Sequence, residues 1–228
     1  MISRGVLYVV WGKETNPKIA TALERSIASL RKIHPELAYH VHSLGDASTL
    51  LDKGSMYGLS PFDDTLFLDA DTVVLDRLDY GFEQASRHQL ACAICEAPYA
   101  RRYMYAVQSD LIEYNTGVLF FRKSTKTRQL FERWQHHGKA ADSRIPFLGP
   151  NGVLVEMPRN DQCGFALAVD ETGFNPFVLP FNWNFRSPWH TTVFGPVKIW
   201  HGYAPVPPLV ERFNKSMQPP AILNFIQV

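Results

Sequence analysis

The feature that most restricts the fold is a set of apolar runs separated by an amphipathic segment. "GVLYVVWG" (residues 5–12) is continuous and apolar, as in a strand covered on both faces. Asn16 and Pro17 then supply a helix cap and a first-turn proline. "PKIATALERSIASLRKIH" follows, with Ile19, Leu23, Ile27 and Leu30 at helical spacing and Pro35 as a stop. "LAYHVHSL" (residues 37–44) reads as a second strand. After a short, helix-like segment holding Lys53, Met56 and Tyr57, "TLFLDADTVVL" (residues 65–75) reads as a third. Strand, helix, strand at these lengths requires parallel pairing through right-handed crossovers. The expected class is α/β, a single-domain Rossmann-like architecture with a mostly parallel sheet.

The rest of the chain is less regular. "LDYGFEQASRH" has helical character, "QLACAICE" and "GVLFFR" read as strands, and "STKTRQLFERWQHH" as a helix capped by Ser124. Residues 138–159 are rich in Gly and Pro and read as loop. "NDQCGFALAVDE" is a short helix. The last sixty or so residues are aromatic and proline-rich, with one clear strand, "VKIWHGY". The expectation is therefore an irregular aromatic C-terminal part.

Composition narrows the function classes. A net charge of +1 across 228 residues gives no hint of nucleic-acid binding or of a polybasic membrane patch. No apolar stretch approaches a spanning helix, and the first residues lack a signal-peptide pattern. The expectation is a cytoplasmic protein with no integral membrane segment. Cys92 and Cys95 form a C-x-x-C, but on a strand that spacing points the thiols to opposite faces. They read as buried structural thiols rather than as a redox pair.

Asp69 and Asp71 stand out inside the third apolar run. Unpaired buried carboxylates cost several kcal/mol each, so their presence needs a cause. Two apart on a strand, they point to one face. At the carboxyl edge of a parallel sheet, where ligands bind, they would attract a hard divalent cation such as Mg²⁺ or Mn²⁺. The competing reading pairs them with Arg77 or another basic residue. Ala70 between them is small enough for a ribose or diphosphate to approach.

Four stretches in this order carry a family resemblance: "PFDDTLFLDADTVVL", "YNTGVLFFR", "NDQCGFALAV" and "VKIWHGY". Together they resemble nucleotide-sugar glycosyltransferases of the type A fold, closest to the retaining family 8 group that includes glycogenin and lipopolysaccharide galactosyltransferases. The resemblance implies a UDP-sugar donor, Mn²⁺ or Mg²⁺ held by Asp69 and Asp71, and transfer with retention to a carbohydrate, protein or lipid-linked acceptor. It implies that Asn115 contacts the donor sugar and that Asp161 and Gln162 face the reacting centre, with Asp161 the best candidate base. Val9 and Trp11, at the end of the first strand, would wall the nucleotide base or belong to the core, and Lys53 would sit near the nucleotide or be a solvated lysine.

His201 matches the family's third metal ligand. The chain departs from the pattern after it: "GYAPVPP" has no lysine, and a "GPVK" (residues 195–198) precedes His201 instead, which would bring His190 or Thr192 forward as the ligand. Trp183, Asn184 and Arg186 would line an acceptor groove, or pack as ordinary aromatic core. In domain terms, the resemblance implies one glycosyltransferase domain over residues 1–228, with 1–110 the nucleotide half and 111–228 the sugar and acceptor half. A lipid acceptor would bring the protein to a membrane surface peripherally. The alternatives are a non-catalytic nucleotide-sugar or metal-binding relative and a sugar nucleotidyltransferase; "VVWGKETNPK" lacks the glycine-rich loop expected of the latter.

Overall fold

A computed structural model describes residues 3–12, 16–95, 111–140, 145–148, 151–157, 160–187, 189–216 and 222–224. The elements run β1 (Arg4–Val10), α1 (Pro17–Ile33), β2 (Ala38–Ser43), a 3-10 turn (Leu50–Ser55), α2 (Met56–Leu59), β3 (Asp64–Leu68), β4 (Thr72–Val74), α3 (Asp79–His88), β5 (Leu90–Ile94) and β6 (Tyr114–Arg122). Then come α4 (Thr125–Ala140), β7 (Ile145–Leu148), β8 (Leu154–Met157), α5 (Asp161–Thr172), β9 (Phe177–Leu179), β10 (Thr192–Phe194), β11 (Ile199–His201), α6 (Pro208–Ser216) and β12 (Ile222–Asn224).

The central sheet has the order β2-β1-β3-β6-β5-β9. Strand β1 pairs in parallel with β2 and β3, and β5 with β9. Strand β6 alone runs against its neighbours. The α/β class and the mostly parallel sheet are thus as the sequence suggested. The alternation along β1 sorts its side chains into two cores. Val6, Tyr8 and Val10 pack with Leu23 and Leu30 of α1 and Phe82 of α3. Leu7 and Val9 pack on the other face with Phe131 and Trp134 of α4 and Phe165 of α5. Asn16 caps α1 by accepting from the Lys18 N–H, with Pro17 in the first turn. The β3–β6 register is reinforced by Arg122, which holds the buried Asp64 through two bonds of 2.6 and 2.8 Å.

Three expectations need correction. The third strand does not run through to Leu75: β3 stops at Leu68, and β4 leaves the main sheet to pair antiparallel with β11. The break is a turn, in which the Thr72 N–H and hydroxyl both donate to the Asp69 carbonyl at 3.2 and 2.8 Å. Residues 138–159 are not all loop. Helix α4 continues to Ala140, and β7 and β8 pair antiparallel. The Gly-Pro composition masked two short apolar runs flanking "GPNG", which is itself a hairpin signal. The C-terminal part holds β9, β10, β12 and α6 besides the one strand expected. Strands of three residues are too short to show a period, and Pro208, a first-turn proline, was the missed sign of α6.

Cys92 and Cys95 are buried and are not joined in a disulfide. Burial pushes the Cys92 thiol far above its ordinary range.

Candidate active site

The turn after β3 places Asp69, Ala70 and Asp71 at the carboxyl edge of the sheet. It is this turn, rather than strand alternation, that presents the two carboxylates together. The β4–β11 pairing sets His201 opposite Thr72, and the Gly202 N–H donates to the Asp71 carbonyl at 2.9 Å. The His201 Nε2 consequently lies 3.4 Å from Asp71 Oδ1 and 3.7 Å from Asp69 Oδ2. The ligand-type atoms of Asp69, Asp71 and His201 all fall within 4.8 Å of one another. The His201 Nδ1 sits 2.7 Å from the Asn184 side-chain oxygen, which can only accept. That contact fixes a proton on Nδ1 and turns Nε2 toward the carboxylates, where it can donate an N–H to Asp71 or offer its lone pair to a metal. The donor set, two carboxylates and one oriented imidazole, fits Mn²⁺ or Mg²⁺.

Gly117 of β6 makes the close approach possible. A Cβ there would collide with the His201 ring and lie 2.7 Å from Asp69 Oδ2. The Asp69 N–H also donates to the Gly117 carbonyl at 2.8 Å.

Lys53 reaches the same turn from the 3-10 segment. It is only 2% exposed, with its Nζ 2.9 Å from Asp69 Oδ1 and 3.8 Å from Asp161 Oδ2. Burial works against its charge, but Asp161 and Asp69 outweigh it, and its pKa lies above the ordinary lysine value. Asp161, at the start of α5, accepts from the Thr116 hydroxyl at 2.5 Å. Its carboxyl is pushed up, chiefly by burial, against the pull of Lys53. Asp71 behaves oppositely: burial opposes its charge, yet His201 holds its pKa below the ordinary range.

Two cavities flank this cluster and share Asp69 and His201. One, of about 230 Å³, has an apolar and aromatic wall of Val9, Trp11, Ile19, Leu50 and Tyr203 over Asp69, Ala70 and Asp71. The other, of about 150 Å³, is polar, lined by Lys53, Asn115, Asp161, Gln162 and Arg186 among others. The structure therefore brings together Val9, Trp11, Asp69, Ala70, Asp71 and His201 on one side, and Lys53, Asn115, Asp161 and Gln162 on the other. The Asn115 side-chain oxygen is spent locally, accepting from the Gly117 N–H at 2.9 Å.

Other candidates lie elsewhere. His190 stacks between Phe181 and Phe185 and accepts from the Arg186 N–H, well outside the carboxylate cluster. Thr192 belongs to β10 and pairs with Asn224. Lys198 is bound to Asp76 at 2.6 Å, so the "GPVK" segment serves β11 rather than the cluster. Trp183 is core, packed on Phe120 and Tyr80, and does not line a groove; Asn184 orients His201 and Arg186 faces the polar cavity. Arg77 pairs with Glu36 and Asp79 and leaves the carboxylate pair alone.

Sequence reasoning missed Tyr203, Arg25, Thr116 and Glu113. Arg25 of α1 donates to the carbonyls of Gly202, Tyr203 and Ala204 at 2.8–3.2 Å and so fixes the segment carrying Tyr203. Lys18 lies over the Tyr203 ring at 4.1 Å. An arginine on a helix bonding carbonyls some 177 residues away leaves no local sequence signal. Thr116 was legible only as part of "YNTG".

No protein-family model matches the sequence, and no curated protein matches it. Solved structures do. Apo mouse xyloside xylosyltransferase 1 matches with a TM-score of 0.61 and 15% identity, covering 90% of this chain and 100% of the other. The galactosyltransferase LgtC, solved with donor and acceptor sugar analogs, matches with a TM-score of 0.55 and 14% identity over 88% and 87% of the two chains. The apo glycosyltransferase GlyE of Streptococcus pneumoniae TIGR4 matches with a TM-score of 0.54 and 13% identity, covering all of this chain and 55% of the other. The chain has the fold of type A glycosyltransferases.

Proposed function

We propose that the protein is a metal-dependent glycosyltransferase related to retaining family 8, moving a sugar from a UDP-sugar to a carbohydrate, protein or lipid-linked acceptor. The observation that carries this reading is the Asp69–Asp71–His201 cluster at the sheet's carboxyl edge, set between an apolar aromatic cavity and a polar one. A base and ribose suit the first cavity, with Trp11 and Val9 as walls. A sugar, rich in hydroxyls, suits the second.

Asp69, Asp71 and His201 would hold Mn²⁺ or Mg²⁺. The bound ion supplies Lewis-acid neutralisation of the diphosphate charge that grows as the glycosidic bond breaks. The protein's own groups do the rest. Asn184 keeps the His201 Nε2 available. Lys53 sits between Asp69 and Asp161 and offsets the repulsion between their carboxylates. Asn115, Asp161 and Gln162 line the cavity that would receive the sugar and would orient its hydroxyls and reacting carbon. Asp161, bound to both Thr116 and Lys53, acts as an orienting acceptor better than as a free base. In this reading 1–228 is one domain, its first half walling the nucleotide and its second half the sugar and acceptor.

The test is calorimetric titration with UDP, with and without Mn²⁺, followed by turnover of a UDP-sugar panel. Metal-requiring UDP binding and release of UDP from one donor are expected. No binding of UDP in either condition removes the proposal.

A further inference from the structure

Gln162 lines the polar cavity, and its side-chain amide is held from behind. The Nε2 donates both of its hydrogens, to Glu113 Oε1 at 2.9 Å and to Cys95 Sγ at 3.3 Å. Among the described residues no group donates to its Oε1, and that oxygen is not among the buried side-chain atoms left without a partner. The nitrogen end is therefore anchored in the interior, and the carbonyl end is the one open to the cavity. Glu113 immediately precedes β6 and is fully buried. Its backbone carbonyl accepts from the Cys95 N–H at 2.7 Å, which extends the β5–β6 ladder and fixes both groups behind Gln162.

The two ends of a primary amide are nearly isosteric, and half a turn about the last torsion exchanges them. Something must choose between them. The Glu113 oxygen accepts in this contact, so it selects the nitrogen, and a thiol sulfur beside it is a weak acceptor for the second hydrogen.

We propose that Glu113 is a positioning residue, whose buried carboxylate locks the Gln162 amide with its carbonyl oxygen facing the reacting sugar. This rests on the glycosyl-transfer reading. The reacting sugar carbon gains positive charge in an oxocarbenium-like transition state, and a fixed carbonyl dipole with its oxygen inward favours that charge. An amide turned nitrogen-inward opposes it. The ground-state sugar carries no such charge, so the lock acts on the chemical step more than on donor binding. It also gives Cys95, half of the C-x-x-C, a purpose that is neither redox nor metal.

Glu113→Gln keeps the volume, removes the charge and offers its own N–H groups to the Gln162 oxygen, which frees the amide to turn. The expected result is a fall in kcat of about tenfold or more, with KM for the UDP-sugar and Kd for UDP within about twofold. Glu113→Asp, which keeps the charge, recovers part of kcat. In a Gln162→Ala background Glu113→Gln costs little further, because the two act as one unit. A full kcat in a folded Glu113→Gln, or an undiminished loss in the Gln162→Ala background, overturns the proposal. Side-chain amide exchange of ¹⁵N-labelled wild-type protein gives a reading independent of activity and of variant folding. Both Gln162 amide protons are expected to be protected; exchange at the rate of an exposed glutamine overturns the orientation. Wild-type protein that turns over no UDP-sugar sinks the transfer reading, and the catalytic purpose with it, while the exchange pattern still decides which end faces the cavity.

Discussion

Asp69 and Asp71 are two residues apart, yet the two sides of the cluster they form are built on different principles. On the Asp69 side the charges are balanced from within: Lys53 lies buried between Asp69 and Asp161, and Thr116 completes the hydrogen bonding of Asp161. On the Asp71 side the nearest neighbour of opposite tendency among the described residues is His201, whose Nε2 stands 3.4 Å away, while Lys53 acts on Asp71 more weakly. The first side has what a buried ion group needs to persist without a ligand. In the proposed reading the second is completed by a bound cation. The contrast would then separate scaffold from binding surface, and each side can be attacked on its own.

The largest effect is expected from Lys53→Met. Removing one partner of a buried ion group leaves the others uncompensated, at a cost of about 3–5 kcal/mol. For a chain of this size that lowers Tm by roughly 10 °C or more. The sign with pH is a check. Lys53 has a raised pKa, so its contribution is fully present below the ordinary lysine value and fades only as pH climbs through the raised one. In the variant the burden passes to Asp161, already pushed up by burial, and a raised carboxyl loses stability as pH rises above the ordinary aspartate range. Thermal melts of Lys53→Met should therefore improve between pH 8 and pH 5 relative to wild type. A pH-independent loss would mean that Lys53 matters by packing alone.

Asp71→Asn should do the reverse. Metal-requiring UDP binding is expected to weaken by about 100-fold or more, while Tm stays within about 2 °C. A large fall in stability would erase the distinction between the two sides. Asn184→Ala probes the same side one step back. It leaves the imidazole in place but releases its tautomer and ring plane, and a 10–100-fold loss of metal affinity is the typical cost, about. The readout is Mn²⁺ titration in the presence of UDP. If Asn184→Ala equals Asp71→Asn, the side chain acts on more than His201.

The same division marks what the sequence made legible. The sheet's parallel half was readable because β1 is a long apolar run and α1 carries its cap, its proline and its period in one stretch. The carboxylates were readable as a candidate ligand site, and the resemblance pointed to Asn115, Asp161, Gln162 and His201, which the structure brings near them. The geometry presenting them was not. A turn closed by Thr72, and a β4 that pairs with a strand far along the chain, look like one continuous strand when read locally. Lys53 could be placed near the nucleotide, but its complete burial depends on Asp161, more than a hundred residues later. Asn184 sat in a stretch that read as acceptor groove or aromatic core, and Glu113 carried no sequence signal. Their roles exist only through His201 and Gln162.

The smallest expected effect sharpens the open side further. Arg25 touches neither the carboxylates nor His201; it gathers the carbonyls of Gly202, Tyr203 and Ala204 and so holds Tyr203 against the apolar cavity. Carbonyls freed at a part-exposed site are taken up by water, so losing them costs little in the fold. Placement of Tyr203 is what should suffer. Arg25→Met keeps the apolar stem and removes the donors, and UDP affinity is expected to fall about fivefold, about 1 kcal/mol. Metal affinity without nucleotide should be unchanged, because His201 is held by Asn184 and by its backbone bond to Phe185. Calorimetry with UDP and with Mn²⁺ alone separates the two. Equal losses in both would mean that Arg25 supports β11 and the metal side as a whole. A loss confined to UDP would make Tyr203 part of the nucleotide wall, put in place by a helix that never meets the ligand's charge.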